Sequence, residues 1–300
     1  VRQLAALSIA VLVGVTAACF GFLGIFDSAA PARIDREPPP RRTAVPRAVV
    51  LISIDGLAPR VLDAVGPPTL SRLAREGARA RLAETVTPSI TLPAHTSMLS
   101  GLEVSAHGVT WNRYQPWSRA EVRTLYDVCA ERALRCALFA GKRKFAHLAE
   151  YEPGVERYVY AGDARAVLDA AADWLEATRG DFALVHLAEV DRTGHRDGWD
   201  SPAQRQALRE LDAALADFVP RAAAVRPLAL IVTADHGGEG HNHYRDTPAS
   251  RRVPWIAWGD GVPAGAELGE VSLVDTAAAV LALLEVDAAL GTGRAPFAPR

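Results

Sequence analysis

Ala48–Ile54 reads AVVLISI, seven apolar or small residues in a row between Pro46 and Gly56. A short continuous run of β-branched and aliphatic side chains suits a strand buried on both faces. Four more such runs follow, at Cys136–Ala140, Phe182–Leu187, Leu228–Thr233 and Pro254–Trp258. Helical patterns separate them, over Pro68–Glu76, Thr124–Arg132, Ala164–Thr178, Pro202–Phe218 and Leu273–Leu284. This alternation predicts an α/β fold, a mostly parallel central sheet with helices on both faces. No internal repeat competes with that reading.

Composition narrows the function classes. The 300 residues are 49% hydrophobic and 23% charged, which excludes disorder or a fibrous repeat for most of the chain. Thirty-three basic against 35 acidic side chains leave a net charge of −2, so no nucleic acid polymer is expected as a partner. Three cysteines can build neither a disulfide framework nor a four-Cys zinc site. Cys129 and Cys136 stand across a helix end and a strand start, and are expected as buried free thiols rather than a bridge.

Leu4–Phe26 is a 23-residue run without charge. Roughly 20 apolar residues cross a bilayer core, so an N-terminal transmembrane helix is expected. A cleaved signal peptide and a lipid-modified Cys19 are the alternatives. Residues 29–46 hold Pro31, Pro38, Pro39, Pro40 and Pro46 among arginines, which reads as a semi-rigid stalk. The expected organisation is therefore an anchor or signal over 1–28, a Pro/Arg-rich stalk over 29–46, and one globular domain over 47–300.

Chemistry-bearing residues gather where the apolar runs stop. Asp55 follows the first run, Asp191 lies four residues beyond Phe182–Leu187, and Asp235-His236 follows Leu228–Thr233 closely. In open parallel sheets, sites form at the carboxyl ends of strands. Asp191-Arg-Thr-Gly-His195 spaces a carboxylate and an imidazole around a glycine, as a loop turning both toward one ion would. His241 and His243 follow Asp235-His236-Gly237-Gly238. Such a mixed oxygen and nitrogen set suits zinc, with iron or manganese as alternatives. The bland alternative makes Asp191 a helix cap, His195 a surface residue and Asp235 a turn residue. Thr91 precedes Leu92-Pro93 and a helical pattern running to Leu99, which puts it at a helix N-terminus, a place that favours an alkoxide or phosphate. Its plain alternative is a helix N-cap.

Asp55-Gly56, Thr91-Leu92-Pro93-Ala94-His95 with Gly101 and His107-Gly108, Asp191-x-x-Gly-His195 and Asp235-His236-Gly237 occur in one order. The ordered set resembles the alkaline phosphatase superfamily, in its nucleotide pyrophosphatase/phosphodiesterase branch, over roughly residues 48–260. The resemblance implies an alkaline phosphatase-like catalytic domain holding two divalent metal ions, usually zinc. Asp55, Thr91, Asp235 and His236 would hold the ion that activates Thr91. Asp191, His195 and His243 would hold the other, with His241 as the alternative last ligand. Tyr244 departs from the pattern, since glycine usually follows that histidine. Asn112, 21 residues after Thr91, stands where the branch has an asparagine that holds a phosphoryl oxygen; its alternative is a turn residue.

The implied activity is phosphodiester or nucleotide pyrophosphate hydrolysis through a threonine nucleophile and a phospho-threonine intermediate. A phosphomonoesterase, a phosphonate hydrolase of the same superfamily, or a catalytically inactive membrane-anchored binding module are the alternatives. A sulfatase is disfavoured, because Thr91 and His95 stand where sulfatases carry the formylglycine precursor and an arginine. The expected partner is a phosphate-ester small molecule, nucleotide-like in one reading, with the membrane engaged through the N-terminal helix. Lys142 and Lys144 resemble relatives' lysines that meet a second anionic group of the substrate; a solvated basic loop is the alternative. Trp111, Tyr114 and Trp117 are candidates for stacking or packing, while Trp255 and Trp258 read as core. The expected location is single-pass at the cell membrane with the catalytic domain extracytoplasmic, against the basic residues after the span, which on the positive-inside rule favour the cytoplasm.

Overall fold

The computed structural model describes residues 28–38, 40 and 43–298. Ten strands form one sheet: β1 Arg33–Asp35, β2 Ala48–Ile54, β3 Ala78–Glu84, β4 Cys136–Ala140, β5 Val155–Tyr160, β6 Phe182–Leu187, β7 Leu228–Thr233, β8 Arg252–Val253, β9 Trp255–Gly259 and β10 Ala266–Ser272. Their spatial order is β1-β5-β4-β6-β2-β7-β9-β3-β10, with β8 beside β3. The centre, β5 through β7, is parallel, and Leu51 of β2 lies between Leu184 of β6 and Ile231 of β7. Every residue of β2, β4, β6 and β7 is buried. Successive strand residues point to opposite faces, so both faces of the centre are covered.

The sheet as a whole is mixed: β3–β10 pairs parallel like the centre, while antiparallel pairs flank it. β1–β5, β7–β9, β3–β9 and β3–β8 pair antiparallel. After β7 the chain spends residues 234–251 on the loop that carries Asp235, His236 and His243, with one short helix at Pro248–Arg251. Without a covering helix on that connection it returns antiparallel, as a parallel crossover normally requires one. β3 (ARARLAE), β5 (VERYVY) and β10 (AELGEVS) were hidden in the sequence because they lack an uninterrupted apolar run. In β3 and β10 exposed charges pair across the ladder, as Arg81 does with Glu270 at 3.1 Å.

The expectation of a transmembrane helix over Leu4–Phe26 is corrected, since no membrane-spanning helix stands among the described residues. Residues 1–27 lie outside the described residues, and among those described no helix is long and apolar enough to cross a membrane. Within the segment read as a stalk, Arg33–Asp35 is paired to β5.

The thiol expectation is also corrected, because Cys129 and Cys136 form a disulfide. The helix Leu125–Arg132 ends on Ala133 in the left-handed region (φ 52°), which turns the chain back with two residues left before the next strand. The Cα atoms thereby come to 6.4 Å, within bridging distance. Trp255 is core, whereas Trp258 is half-buried, with Arg72 over its ring and its indole N–H on Glu76.

Candidate metal centre

The carboxyl ends of β2, β6, β7 and β4 meet at one place. Asp55 leaves β2 fully buried, and Asp235 leaves β7 fully buried. Between them Gly56, at φ 73°, takes a left-handed turn that donates its N–H to Asp235 Oδ1 at 3.1 Å. A Cβ there would meet the Asp191 Cα at 3.0 Å, so the close approach of the third carboxylate requires glycine.

Asp191 and His195 sit on the helix Glu189–Asp197, not on a loop. Four residues apart, they share one helix face, and His195 Nε2 lies 3.3 Å from Asp191 Oδ1. Gly194 lets this helix pack closely, since a Cβ would stand 2.7 Å from Gln204 Nε2 and 2.9 Å from the Trp199 ring. That packing need, rather than a turn, explains the glycine in the motif.

Two ligand groups result. Asp55, Asp235 and His236 offer atoms all within 4.8 Å of one another, as do Asp191, His236 and His243. Asp55 Oδ1, Asp191 Oδ1, Asp235 Oδ2 and His236 Nε2 are buried without a hydrogen-bond partner. Unpaired buried acceptors are costly, roughly 1–3 kcal/mol each and more for charged groups, so a convergent set of them fits a cation. The histidines are oriented for the same task. His236 Nδ1 donates to Gly237 O at 2.8 Å, His243 Nδ1 to Ser89 O at 2.7 Å, and His195 Nδ1 to His241 O at 2.9 Å. With Nδ1–H spent on a carbonyl, Nε2 is the one ring nitrogen each imidazole can offer a metal once it is deprotonated, the arrangement that metal-binding histidines use. His243 is buried and belongs to one of the two groups, whereas His195, half-buried beside Asp191, and the exposed His241 lie outside both.

Burial alone would raise the Asp55 carboxyl. Lys142, His186 and His236 outweigh burial and hold it well below the usual carboxylate range. Asp191 is likewise lowered, with burial and Asp55 opposed by Lys142 and His195. Burial opposes protonation of His236, but Asp235 and Asp55 raise it to about 9.

Thr91 is the first residue of the helix Thr91–Ser100 and is buried; the N-cap is Ile90, in extended conformation. The plain N-cap role therefore belongs to the preceding residue. One turn on, His95 Nδ1 donates to Thr91 O at 2.7 Å, Ser53 Oγ donates to His95 Nε2 at 2.8 Å, and His95 Nδ1 lies 3.9 Å from Asp235 Oδ2. These contacts hold the first helical turn against the Asp235 carboxylate. Burial pushes His95 down to about 4, so it is neutral. Asn112 Oδ1 accepts from Leu92 N at 3.0 Å, capping a first-turn N–H, and from Lys144 Nζ at 3.0 Å. Both neighbours are donors, which fixes the amide with Nδ2 directed elsewhere.

The lysines are not a solvated loop. Lys142 Nζ bridges Asp55 Oδ2 and Asp191 Oδ2, each at 2.6 Å, and is raised above the ordinary ammonium value because these acids outweigh burial. Lys144 is buried, which together with Lys142 pushes it down to about 8. Of the aromatic candidates, Tyr114 packs and donates to Glu150, Trp111 is half-buried with its N–H on His147 at 3.1 Å, and Trp117 is exposed.

Sequence reasoning missed His186, whose Nε2 lies 2.7 Å from Asp55 Oδ2. A lone histidine inside the otherwise apolar run FALVHL was the available signal. It also missed Trp199, whose indole donates to Gly56 O at 2.8 Å while its ring meets His195 edge-on.

Comparison with known proteins places the fold and the site in context. The human ectonucleotide pyrophosphatase/phosphodiesterase family member 7 is 26% identical over 216 residues, 63% of this chain and 47% of the relative. The bovine bis(5'-adenosyl)-triphosphatase ENPP4 is 24% identical over 225 residues, 65% of this chain and 48% of the relative. The chain thus spans about half the length of the curated relatives it matches. Murine ectonucleotide pyrophosphatase / phosphodiesterase 5 superposes with a TM-score of 0.70 at 15% identity, covering 82% of this chain and 97% of that one. An inactive Thr→Ala variant of it in complex with AMP superposes with a TM-score of 0.71 at 14% identity, covering the same shares of both chains. The family model for type I phosphodiesterase / nucleotide pyrophosphatase matches residues 49–248, two thirds of the chain and the whole stretch from β2 through the site loop, and the chain belongs to that family.

Proposed function

We propose that residues 47–300 form a catalytic domain that hydrolyses phosphodiesters of the nucleotide type, with two divalent metal ions and Thr91 as nucleophile. The observation that carries this reading is the set of four buried, unpartnered side-chain atoms on Asp55, Asp191, Asp235 and His236. Asp55, Thr91, Asp235 and His236 would hold one ion, and Asp191, His195 and His243 the other. Imidazole nitrogen and carboxylate oxygen without thiolate suit zinc.

Zinc, when bound, lowers the pKa of a coordinated hydroxyl and offsets charge on phosphoryl oxygens. The chain's own residues do the rest. Thr91 Oγ gives up its proton and attacks phosphorus in line; the Oγ–P bond forms as the bond to the leaving oxygen breaks, and that oxygen takes a proton. A phospho-threonine results. Water then attacks phosphorus from the vacated side, the Oγ–P bond breaks, and Thr91 recovers a proton. Asn112 presents its Nδ2 amide to a phosphoryl oxygen, because Leu92 N–H and Lys144 occupy its Oδ1. Lys144 adds positive charge beside that oxygen.

A nucleotide-type ester is favoured by the AMP complex of the solved relative and by the bis(5'-adenosyl)-triphosphatase among the sequence relatives. An extracytoplasmic location is favoured by the Cys129–Cys136 bridge, since disulfides persist in oxidising compartments, and by the "ecto" in the relatives' names. The test is hydrolysis of bis(p-nitrophenyl) phosphate against p-nitrophenyl phosphate by the zinc-loaded chain. Diester preference is expected; monoester preference would move the assignment to a phosphomonoesterase.

A further inference from the structure

We propose that Lys142 is a charge-balancing residue that ties the two ligand groups together, a resident cation that holds their carboxylates while no metal is bound. The inference rests on the two-metal reading above. Asp55 and Asp191 belong to different groups, leave different strands, and meet on one ammonium at 2.6 Å each. In both carboxylates Oδ2 is the atom spent on Lys142, and in both Oδ1 is the atom left buried without a partner. The ammonium thus sorts the oxygens. It takes Oδ2 of each carboxylate and leaves Oδ1 facing His236 Nε2, 3.4 Å from Asp55 Oδ1 and 3.9 Å from Asp191 Oδ1.

The backbone delivers Lys142 to this point. It follows β4, and Gly141 N donates to His186 O at 2.9 Å, which fixes the strand end beside β6. A Cβ on Gly141 would stand 2.9 Å from the Ala188 Cβ, so the approach is close. Lys144, two residues on, reaches Asn112 instead. The two lysines therefore have different duties: Lys144 stands at the phosphate end, and Lys142 is committed to the carboxylates.

Two consequences follow from charge. Without metal, Lys142, together with the raised His236, offsets the repulsion among Asp55, Asp191 and Asp235. An ion held by Asp55 or Asp191 would be a like charge to the ammonium on the same carboxylates, so each would weaken the other's hold. Asp55 keeps a second anchor in His186, and Asp191 is held on its helix, so their aim survives loss of the ammonium.

The test compares wild type, Lys142→Met and Lys142→Arg by zinc titration and by melting with and without chelator. For Lys142→Met, a lower melting temperature without metal is expected, with zinc bound about tenfold or more tightly and a larger rise in melting temperature on loading. Lys142→Arg keeps the charge and should bind zinc within about threefold of wild type. Should Lys142→Met be unfolded without metal, refolding driven by zinc meets the expectation. Equal or weaker zinc binding by Lys142→Met, or failure to fold at saturating zinc, overturns the proposal, because a merely structural lysine gives those results. A wild-type chain that binds no zinc would sink the two-metal reading instead.

Discussion

His236 and His243 lie ring over ring, with centroids 3.5 Å apart and planes 6° apart. Each is pinned by its Nδ1 to a backbone carbonyl, one from Gly237 and one from Ser89. Stacked imidazoles this close cannot both be protonated cheaply. Burial and the neighbouring His236 push His243 down to about 4, while Asp235 and Asp55 overcome burial to raise His236 to about 9. In the metal-free chain at neutral pH, one ring of the stack is charged and the other neutral.

That asymmetry makes zinc binding pH-dependent. A protonated Nε2 has no lone pair for a metal, so below about 9 a proton on His236 competes with the ion, and His195, raised by Asp191, adds to the competition at lower pH. Zinc affinity is expected to fall as pH drops from about 9 toward 6, by about tenfold per unit for each proton displaced. Calorimetric titration in buffers of differing ionisation heat measures both the affinity and the proton release. A pH-independent affinity would contradict the assignment of His236.

Thr91→Ala removes the hydroxyl while leaving the histidines and carboxylates in place. Turnover is expected to drop by at least about a thousandfold, with zinc content unchanged. Thr91→Ser should retain part of the activity. Initial rates on bis(p-nitrophenyl) phosphate beside metal analysis of the same samples read both quantities.

A second pH effect lies away from the metals. Glu152 is buried with Oε2 unpartnered, and burial, helped by Asp127 against Arg119 and Arg36, raises its carboxyl to about 7. Between the ordinary 4.5 and about 7, the folded chain holds a proton that the unfolded chain has released, so stability from this group is present below that window and is lost as pH rises through it. Glu152→Gln should show a smaller fall in melting temperature between pH 5 and pH 8 than wild type does. Parallel pH profiles for the two chains would contradict this.

The disulfide closes a loop of seven residues in sequence separation. Short-loop closure in the unfolded chain is worth about 2–3 kcal/mol. The Cys129→Ala/Cys136→Ala double variant should lose about that much in urea unfolding, with no change in zinc stoichiometry, since the bridge stands apart from the ligand groups.

Much of the centre was legible because buried parallel strands write themselves as unbroken apolar runs: β2, β4, β6 and β7 fall where the sequence placed them. The outer strands were not, because charges at Arg79, Arg81, Glu267 and Glu270 face solvent and mask the alternation. The candidate ligands were readable as short motifs at strand ends. Their supports were not: His186, Ser89 and Trp199 act through positions that only the fold brings near. The helix under Asp191 and His195 was misread as a loop because Gly194 looks like a breaker, while its reason is contact with Trp199 and Gln204.

The central claim is that two ions bind among these residues. Anomalous diffraction at the zinc edge from crystals of the chain grown with zinc tests it most directly. One peak bounded by Asp55, Asp235 and His236 and a second bounded by Asp191, His195 and His243 are expected. A map with no peak at either group, or with zinc only at surface histidines such as His241, would contradict it.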